Sequence, residues 1–160
     1  MIKEIQTNDI PACVSVIRAS FLTVADAFGF TRENAPRFTA FATTVERLTY
    51  HMTVERRPMY AYCDGDKIIG YYSLALQENH ACELNNLCVL PEYRHRHIGE
   101  KLLNNACEKA RALGCVKINI GIVEENTTLR AWYEKMGFRH TGTQKFDFFP
   151  FTCGYMEKRL

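Results

Sequence analysis

The chain has 160 residues, of which 47% are hydrophobic and 24% charged, and its net charge is +2. This length suits a single domain over residues 1–160, the composition excludes a disordered chain, and so mild a charge implies no nucleic-acid or membrane partner. No apolar run approaches 18 residues and acids occur early in the chain, so neither a membrane span nor a signal peptide is expected.

In chain order, residues 2–6 alternate weakly and read as a first strand. Thr7, Asn8 and Asp9 are good N-cap residues, and Pro11 suits a first turn. Ile10, Val14, Ile17, Phe21 and Leu22 then recur at helical spacing, which predicts a helix to about residue 24. The stretch from 25 to 44 reads as a loop followed by a short helix, punctuated by Pro36. Thr43 or Thr44 caps a further helix through Val45, Leu48, Tyr50 and Met52. From residue 59 the texture becomes that of strands, with Asp64-Gly65 as a hairpin signal. ACELNNLCVL is a third strand of that group. Residues 98–113 place Ile98, Leu102, Leu103, Ala106, Ala110 and Leu113 on one helical face, with Gly114 as the stop. A strand over 116–123, a helix capped by Asn126, Thr127 or Thr128 and ended by Gly137, and two final strands complete the chain. Hairpins mixed with helical crossovers predict an α/β (α+β) fold, one mixed, mostly antiparallel sheet with helices on both faces.

Seven cysteines stand at 13, 63, 82, 88, 107, 115 and 153. Their odd count, the lack of C-x-x-C spacing and their apolar neighbours predict reduced, buried thiols in a cytoplasmic protein. The histidines at 51, 80, 95, 97 and 140 do not cluster with them, so no metal site is expected.

The strand ACELNNLCVL has a break in phase. Cys82 and Leu84 share one parity, Leu87 and Val89 the other, and a regular strand cannot send both pairs to one face. Either an extra residue near Asn85-Asn86 forms a β-bulge, or the strand is buried on both faces. A bulge would leave backbone groups free for a ligand. The segment LCVLPEYRHRHIGEKLL then runs from this strand through a basic loop into a helix near Ile98. The start of a helix presents free N–H groups and partial positive charge to an anion, and Arg94 and Arg96 add full charges. Neither a P-loop nor a Rossmann glycine pattern is present, and an ordinary solvated basic loop is the plain alternative.

Two motifs in this context resemble those of the GCN5-related N-acetyltransferases (GNAT). The first is Val89-Leu90-Pro91, then Arg94, then Ile98-Gly99, against the family's Val-x-Pro and Arg/Gln-x-x-Gly-x-Gly/Ala. The second is Asn126, Leu129, Tyr133, Gly137 and Phe138 in the following helix. The likeness is close over about residues 66–140 and looser elsewhere. One departure is His97 at the family's middle glycine, with His95 at another position where glycine is common. If position 97 lies in the first helical turn its φ is near −60° and a side chain is unstrained. The imidazole is then either tolerated bulk or a further anion contact.

The resemblance implies a splayed acyl-CoA N-acyltransferase sheet and acetyl-CoA (coenzyme A) as cofactor. It implies that backbone N–H groups of His95, Arg96, His97, Ile98 and Gly99 hold the pyrophosphate beside Arg94. The pantetheine arm would pair with the backbone of Leu87 and Val89, in a gap between that strand and residues 116–123. It implies direct attack of a primary amine, of a small molecule or peptide, on the thioester. At pH 7 the neutral form of a lysine-like amine costs about 4–5 kcal/mol, so a general base or a water relay helps. Glu83 is the candidate base or merely an exposed strand carboxylate; Glu78 and Glu124 are secondary. A backbone N–H near Val89 would stabilise the oxyanion. Tyr133 is the candidate acid for the leaving thiolate or a core aromatic, and Asn126 contacts the cofactor or only caps its helix. The segments implied to choose the acceptor are aromatic: Phe28, Phe30, Phe38, Phe41 and Tyr50, then Phe146, Phe148, Phe149 and Phe151. The second group suggests an apolar acceptor wall or a subunit interface, and hence a possible homodimer. The alternatives are a non-catalytic acyl-CoA-binding or regulatory module on the same fold, and an unrelated phosphate-binding α/β domain.

Overall fold

Seven strands pair into one sheet in the computed structural model, which describes residues 1–160. They are β1 (Ile2–Glu4), β2 (Met59–Asp64), β3 (Lys67–Gln77), β4 (Ala81–Val89), β5 (Lys117–Val123), β6 (Arg139–Lys145) and β7 (Thr152–Arg159), in the order β1-β2-β3-β4-β5-β7-β6. The helices are α1 (Ile10–Phe28), α2 (Thr39–Ala42), α3 (Val45–Thr53), α4 (Ile98–Ala112) and α5 (Thr127–Lys135). Only β4 and β5 run parallel, because α4 crosses over between them; all other neighbours are antiparallel.

Central strand β3 shows how both faces are covered. Every residue from Ile68 to Leu74 is buried, and successive side chains point to opposite faces. The Tyr72 hydroxyl donates to Asn105 Oδ1 of α4 at 2.6 Å. Its neighbour Tyr71 faces the other way, where the Cys13 thiol of α1 helps burial push the Tyr71 hydroxyl up. Helices α1 and α4 therefore cover opposite faces. A separate small cluster packs Phe30, Phe38 and Phe151 under the loop that follows α1. All seven cysteines are free and six are buried.

Boundaries moved at a few points. Helix α1 runs past residue 24 to Phe28, where Gly29 takes a left-handed φ of 72° and stops it. Thr44 is the cap of α3, its hydroxyl accepting from the Arg47 N–H at 3.1 Å. The β2–β3 hairpin pairs Asp64 with Lys67, so Gly65-Asp66 forms the two-residue loop, one position along from the pair expected. The expectation that nothing here is long and apolar enough to span a bilayer needs correction. Thr7–Phe28 passes on length and composition. Its apolar character combines one face of Ile10, Cys13, Val14 and Ile17 packed into the core with Ala12, Ala19 and Leu22 outside. Polar interruptions such as Ser15 and Arg18 hide it from a search for continuous runs.

The phase break in β4 is a bulge. Opposite Tyr71 and Ser73 of β3 stand Cys88 and Asn85, so β4 carries one residue more than its partner. Asn86 absorbs it at φ 56°, in the left-handed region that asparagine tolerates better than most residues. Pairing of β4 to β5 covers only Ala81, Cys82 and Glu83, opposite Lys117, Ile118 and Asn119. Beyond that point the two strands part.

Close approach beside this opening depends on Gly70 of β3. A Cβ there would stand 2.9 Å from Leu102 Cδ1 of α4 and 3.1 Å from the Cys88 carbonyl. Leu102 is fully buried and the second contact is backbone, so relieving either one means shifting packed atoms. Gly70→Ala is expected to destabilise the protein by about 1–3 kcal/mol, read as a lower midpoint in chemical denaturation with unchanged slope.

Candidate active site

The opening between β4 and β5 is bordered at one end by the turn into α4. A short 3-10 turn, Pro91–Tyr93, leaves β4 and delivers the chain to His97, the N-cap of α4. The backbone N–H groups of residues 95–100 donate to no protein acceptor; the first intrahelical bond is from Lys101 to the His97 carbonyl. Alternate residues His95 and His97 have φ of 63° and 61°, a backbone form that gathers N–H groups into an anion-binding concavity. This turn thus fits a diphosphate by hydrogen-bond donors and partial charge. The expected φ near −60° at His97 is overturned: the residue lies just outside the helix, where the chain must reverse into α4, and both imidazoles occupy left-handed positions that favour glycine. Both rings are exposed, and His97 Nδ1 lies 3.3 Å from Glu100.

Arg94 does not extend into this concavity. Its Nε donates to the Val89 carbonyl at 3.1 Å, one Nη to Thr23 Oγ1 at 3.2 Å and the other to the Ser20 carbonyl at 3.0 Å. The guanidinium expected beside the phosphates is turned inward, where it ties the turn and the end of β4 to α1. Burial lowers its pKa. Arg96 remains at the surface over the Tyr93 ring. Ile98 is buried, and a Cβ added at Gly99 would meet Trp132 of α5 at 3.6 Å and Val89 at 4.0 Å, ordinary contact distances.

Along the opening, Leu87 is half-buried and Val89 buried. Glu83 stands at the last paired position before the strands part. It accepts from Gln77 Nε2 at 3.2 Å, and Gln77 in turn accepts from Asn119 of β5 at 2.9 Å. With its amide oriented to satisfy both neighbours, Asn85 donates to Glu83 at 2.6 Å and accepts from Arg57 at 3.3 Å. Burial raises the Glu83 pKa, with Arg57 opposing. Tyr133 is buried between Trp132 and Phe138, ring centroids 4.9 and 5.2 Å away. Burial, with the Cys88 thiol adding to it, pushes its hydroxyl far up, so it stays protonated at any working pH. Asn126 caps α5, accepting from the Leu129 N–H at 3.2 Å, which leaves its amide nitrogen for other partners. The secondary acid Glu124 is occupied by Arg130 at 2.8 Å and His140 at 2.9 Å.

The two aromatic segments meet. Phe151 meets Phe30 at a tilt (4.8 Å) and Phe38 edge-on (5.8 Å), and Phe149 stacks on Phe151. Beside the bulge lies a cavity of about 210 Å³ that the sequence reading did not foresee, lined among others by Arg37, Arg47, His51, Arg57, Asn85 and Asn86. The one available signal was Arg47 and His51 at i, i+4 on α3; Arg37 and Arg57 come from separate loops and share no pattern with it.

The acetyltransferase (GNAT) family profile matches residues 25–138. An uncharacterized N-acetyltransferase of Mycobacterium tuberculosis is 26% identical over 100 residues, 62% of this chain; the match spans 64% of that relative's length. Among solved structures, the PaiA N-acetyltransferase of Thermoplasma acidophilum, in complex with coenzyme A, superposes with a TM-score of 0.86 at 20% identity, covering 100% of this chain and 98% of that one. The ribosomal-protein-S18-alanine N-acetyltransferase of Escherichia coli gives 0.74 at 16% identity, covering 99% and 92%.

Two predictions follow from the turn. Arg94→Ala removes three hydrogen bonds, two of them to buried Val89 and Ser20, and is expected to cost about 2–3 kcal/mol of stability, with Arg94→Lys a poor substitute; urea denaturation measures both. His97→Gly relieves a left-handed side chain worth about 1 kcal/mol and is expected to raise Tm by about 2–4 °C.

Proposed function

The chain belongs to the acetyltransferase (GNAT) family, and on that premise we propose that it moves an acetyl group from acetyl-CoA to a primary amine by direct attack. The observation that carries this reading is the early end of β4–β5 pairing next to a turn whose N–H groups are unpaired. An extended ligand arm with a diphosphate at one end matches that combination of an open strand edge and an anion cradle. Bound acetyl-CoA supplies an acetyl thioester.

The chain's own residues divide the remaining work. The N–H groups of His95, Arg96, His97, Ile98 and Gly99 hold the diphosphate, while Arg94 keeps their turn in place. The backbone of Leu87 and Val89 flanks the arm. Glu83 takes the proton of the attacking amine at its carboxylate, and its raised pKa makes it a stronger base than an exposed glutamate. The Tyr133 hydroxyl would supply a proton to the departing sulfur and regain one from solvent before the next turnover. Asn126 orients α5, which carries Tyr133, and offers its amide nitrogen to the cofactor.

Release of free thiol from acetyl-CoA with a panel of amines tests the reaction. Tyr133→Phe is expected to lower kcat roughly tenfold or more while acetyl-CoA still stabilises the fold; unchanged turnover removes Tyr133 from the mechanism. Activity requires ionised Glu83, so the rate should fall as pH drops through a pKa lying above that of an ordinary glutamate. Glu83→Gln should abolish that acid limb, and an acid limb that persists in the variant assigns the base elsewhere.

A further inference from the structure

The cavity beside the bulge has an unusual charge balance. Arg37, Arg47 and Arg57 line it, together with His51, and no aspartate or glutamate does. Only Arg57 has a carboxylate partner, Glu55, bound through Nε and outside the lining. Arg37 lies over the Phe148 ring at 4.2 Å, and Arg47 is exposed with no carboxylate within ion-pairing reach. Three like charges around one small space repel one another, a cost that an anion would remove.

A second observation points the same way. His51 is 93% buried, and its Nδ1 has no hydrogen-bond partner, although buried polar atoms are rarely left unpaired. Burial, and then the Arg57 charge, lowers its pKa, which favours the neutral ring. Arg57 is fixed against the same residue, its N–H donating to the His51 carbonyl at 2.9 Å.

Position then links the cavity to the reaction. Asn85 and Asn86 form part of its wall, and the Asn85 amide bridges Arg57 to Glu83. The cavity therefore adjoins the candidate base at the bulge, whereas the diphosphate turn lies beyond the other end of β4. At about 210 Å³ it is smaller than the roughly 300–1,000 Å³ of sites for drug-sized ligands.

Resting on the acetyltransferase reading above, we infer that the acceptor is a small amine carrying its own oxyanion, a carboxylate or a phosphate, which docks among Arg37, Arg47, Arg57 and His51 while its amino group faces Glu83. The acceptor then has opposite charges at its two ends, matched by arginines on one side and a carboxylate on the other. A polyamine would bring its second cation to the arginines and be repelled.

The test compares matched amines in the thiol-release assay on the full chain. Free amino acids are set against their C-terminal amides, and O-phosphoethanolamine against ethanolamine; the two arms distinguish carboxylate from phosphate. The expected result is a preference of at least roughly tenfold in kcat/KM for the anionic member of one pair, since charge-assisted hydrogen bonds are lost in the neutral one. Arg47→Gln, at an exposed position, should erase that preference by raising KM for the anionic amine, with KM for the neutral amine and for acetyl-CoA unchanged. Arg47→Lys should recover part of it. Equal use of neutral and anionic amines overturns the inference, as does a preference that survives Arg47→Gln and Arg37→Gln together. Thermal stabilisation by the same anionic amines, with coenzyme A present, gives a readout without turnover. Stabilisation lost in Arg47→Gln supports the site, and no stabilisation by any of them overturns it. Stabilisation by acetyl-CoA alone, measured in parallel, reports on the parent reading separately.

Discussion

Everything in the candidate site depends on one extra residue in β4. With Asn86 inserted, β4 holds register with β3 on both sides of the bulge, but its other edge separates from β5 after Glu83. Strand edges inside a sheet ordinarily satisfy one another's N–H and C=O groups. Here the inner edges of β4 and β5 are released while their outer edges stay paired to β3 and β7. The sheet keeps its packing and opens a slot lined by backbone at the same time. A left-handed asparagine is a local strain of a kind that accumulates at functional sites.

The slot is held open from both ends. At one end the turn into α4 is braced by Arg94, whose three hydrogen bonds reach the end of β4 and the body of α1. Arg94 thus acts as a fastening of the turn, and the backbone N–H groups of residues 95–100 are left unpaired. At the other end, Gln77, Glu83 and Asn119 form a hydrogen-bonded chain across β3, β4 and β5 where pairing stops. Glu83 therefore belongs both to the sheet's last closed rung and, through Asn85, to the cationic cavity. Its burial makes it costly to ionise and raises its pKa above that of an exposed glutamate.

Sequence reading reached the sheet through local patterns, and the slot through the family resemblance that the motifs carry. The parity change between Leu84 and Leu87 gave the bulge, and Val89-Leu90-Pro91 followed by the spacing to Gly99 gave the turn. It erred where side-chain direction depends on distant residues. Nothing near Arg94 announces Ser20 and Thr23 as its partners. The φ of His97 was misplaced by assigning it to the helix instead of the cap, a difference of one position that periodicity does not resolve. The cavity was missed because its arginines come from three separate segments, brought together only by the packing of α2 and α3 beside the bulge. The aromatic residues of the last loop were legible as unusual, but the packing of Phe151 against Phe30 and Phe38 needed the fold.

Amide hydrogen exchange with and without coenzyme A probes the central claim most directly, because it reads the backbone groups themselves. The account predicts slowed exchange at residues 95–100 and along Leu87–Val89 on adding the ligand, with the far edge of the sheet at β1 unchanged. Protection absent from both segments, while coenzyme A demonstrably binds, would contradict it.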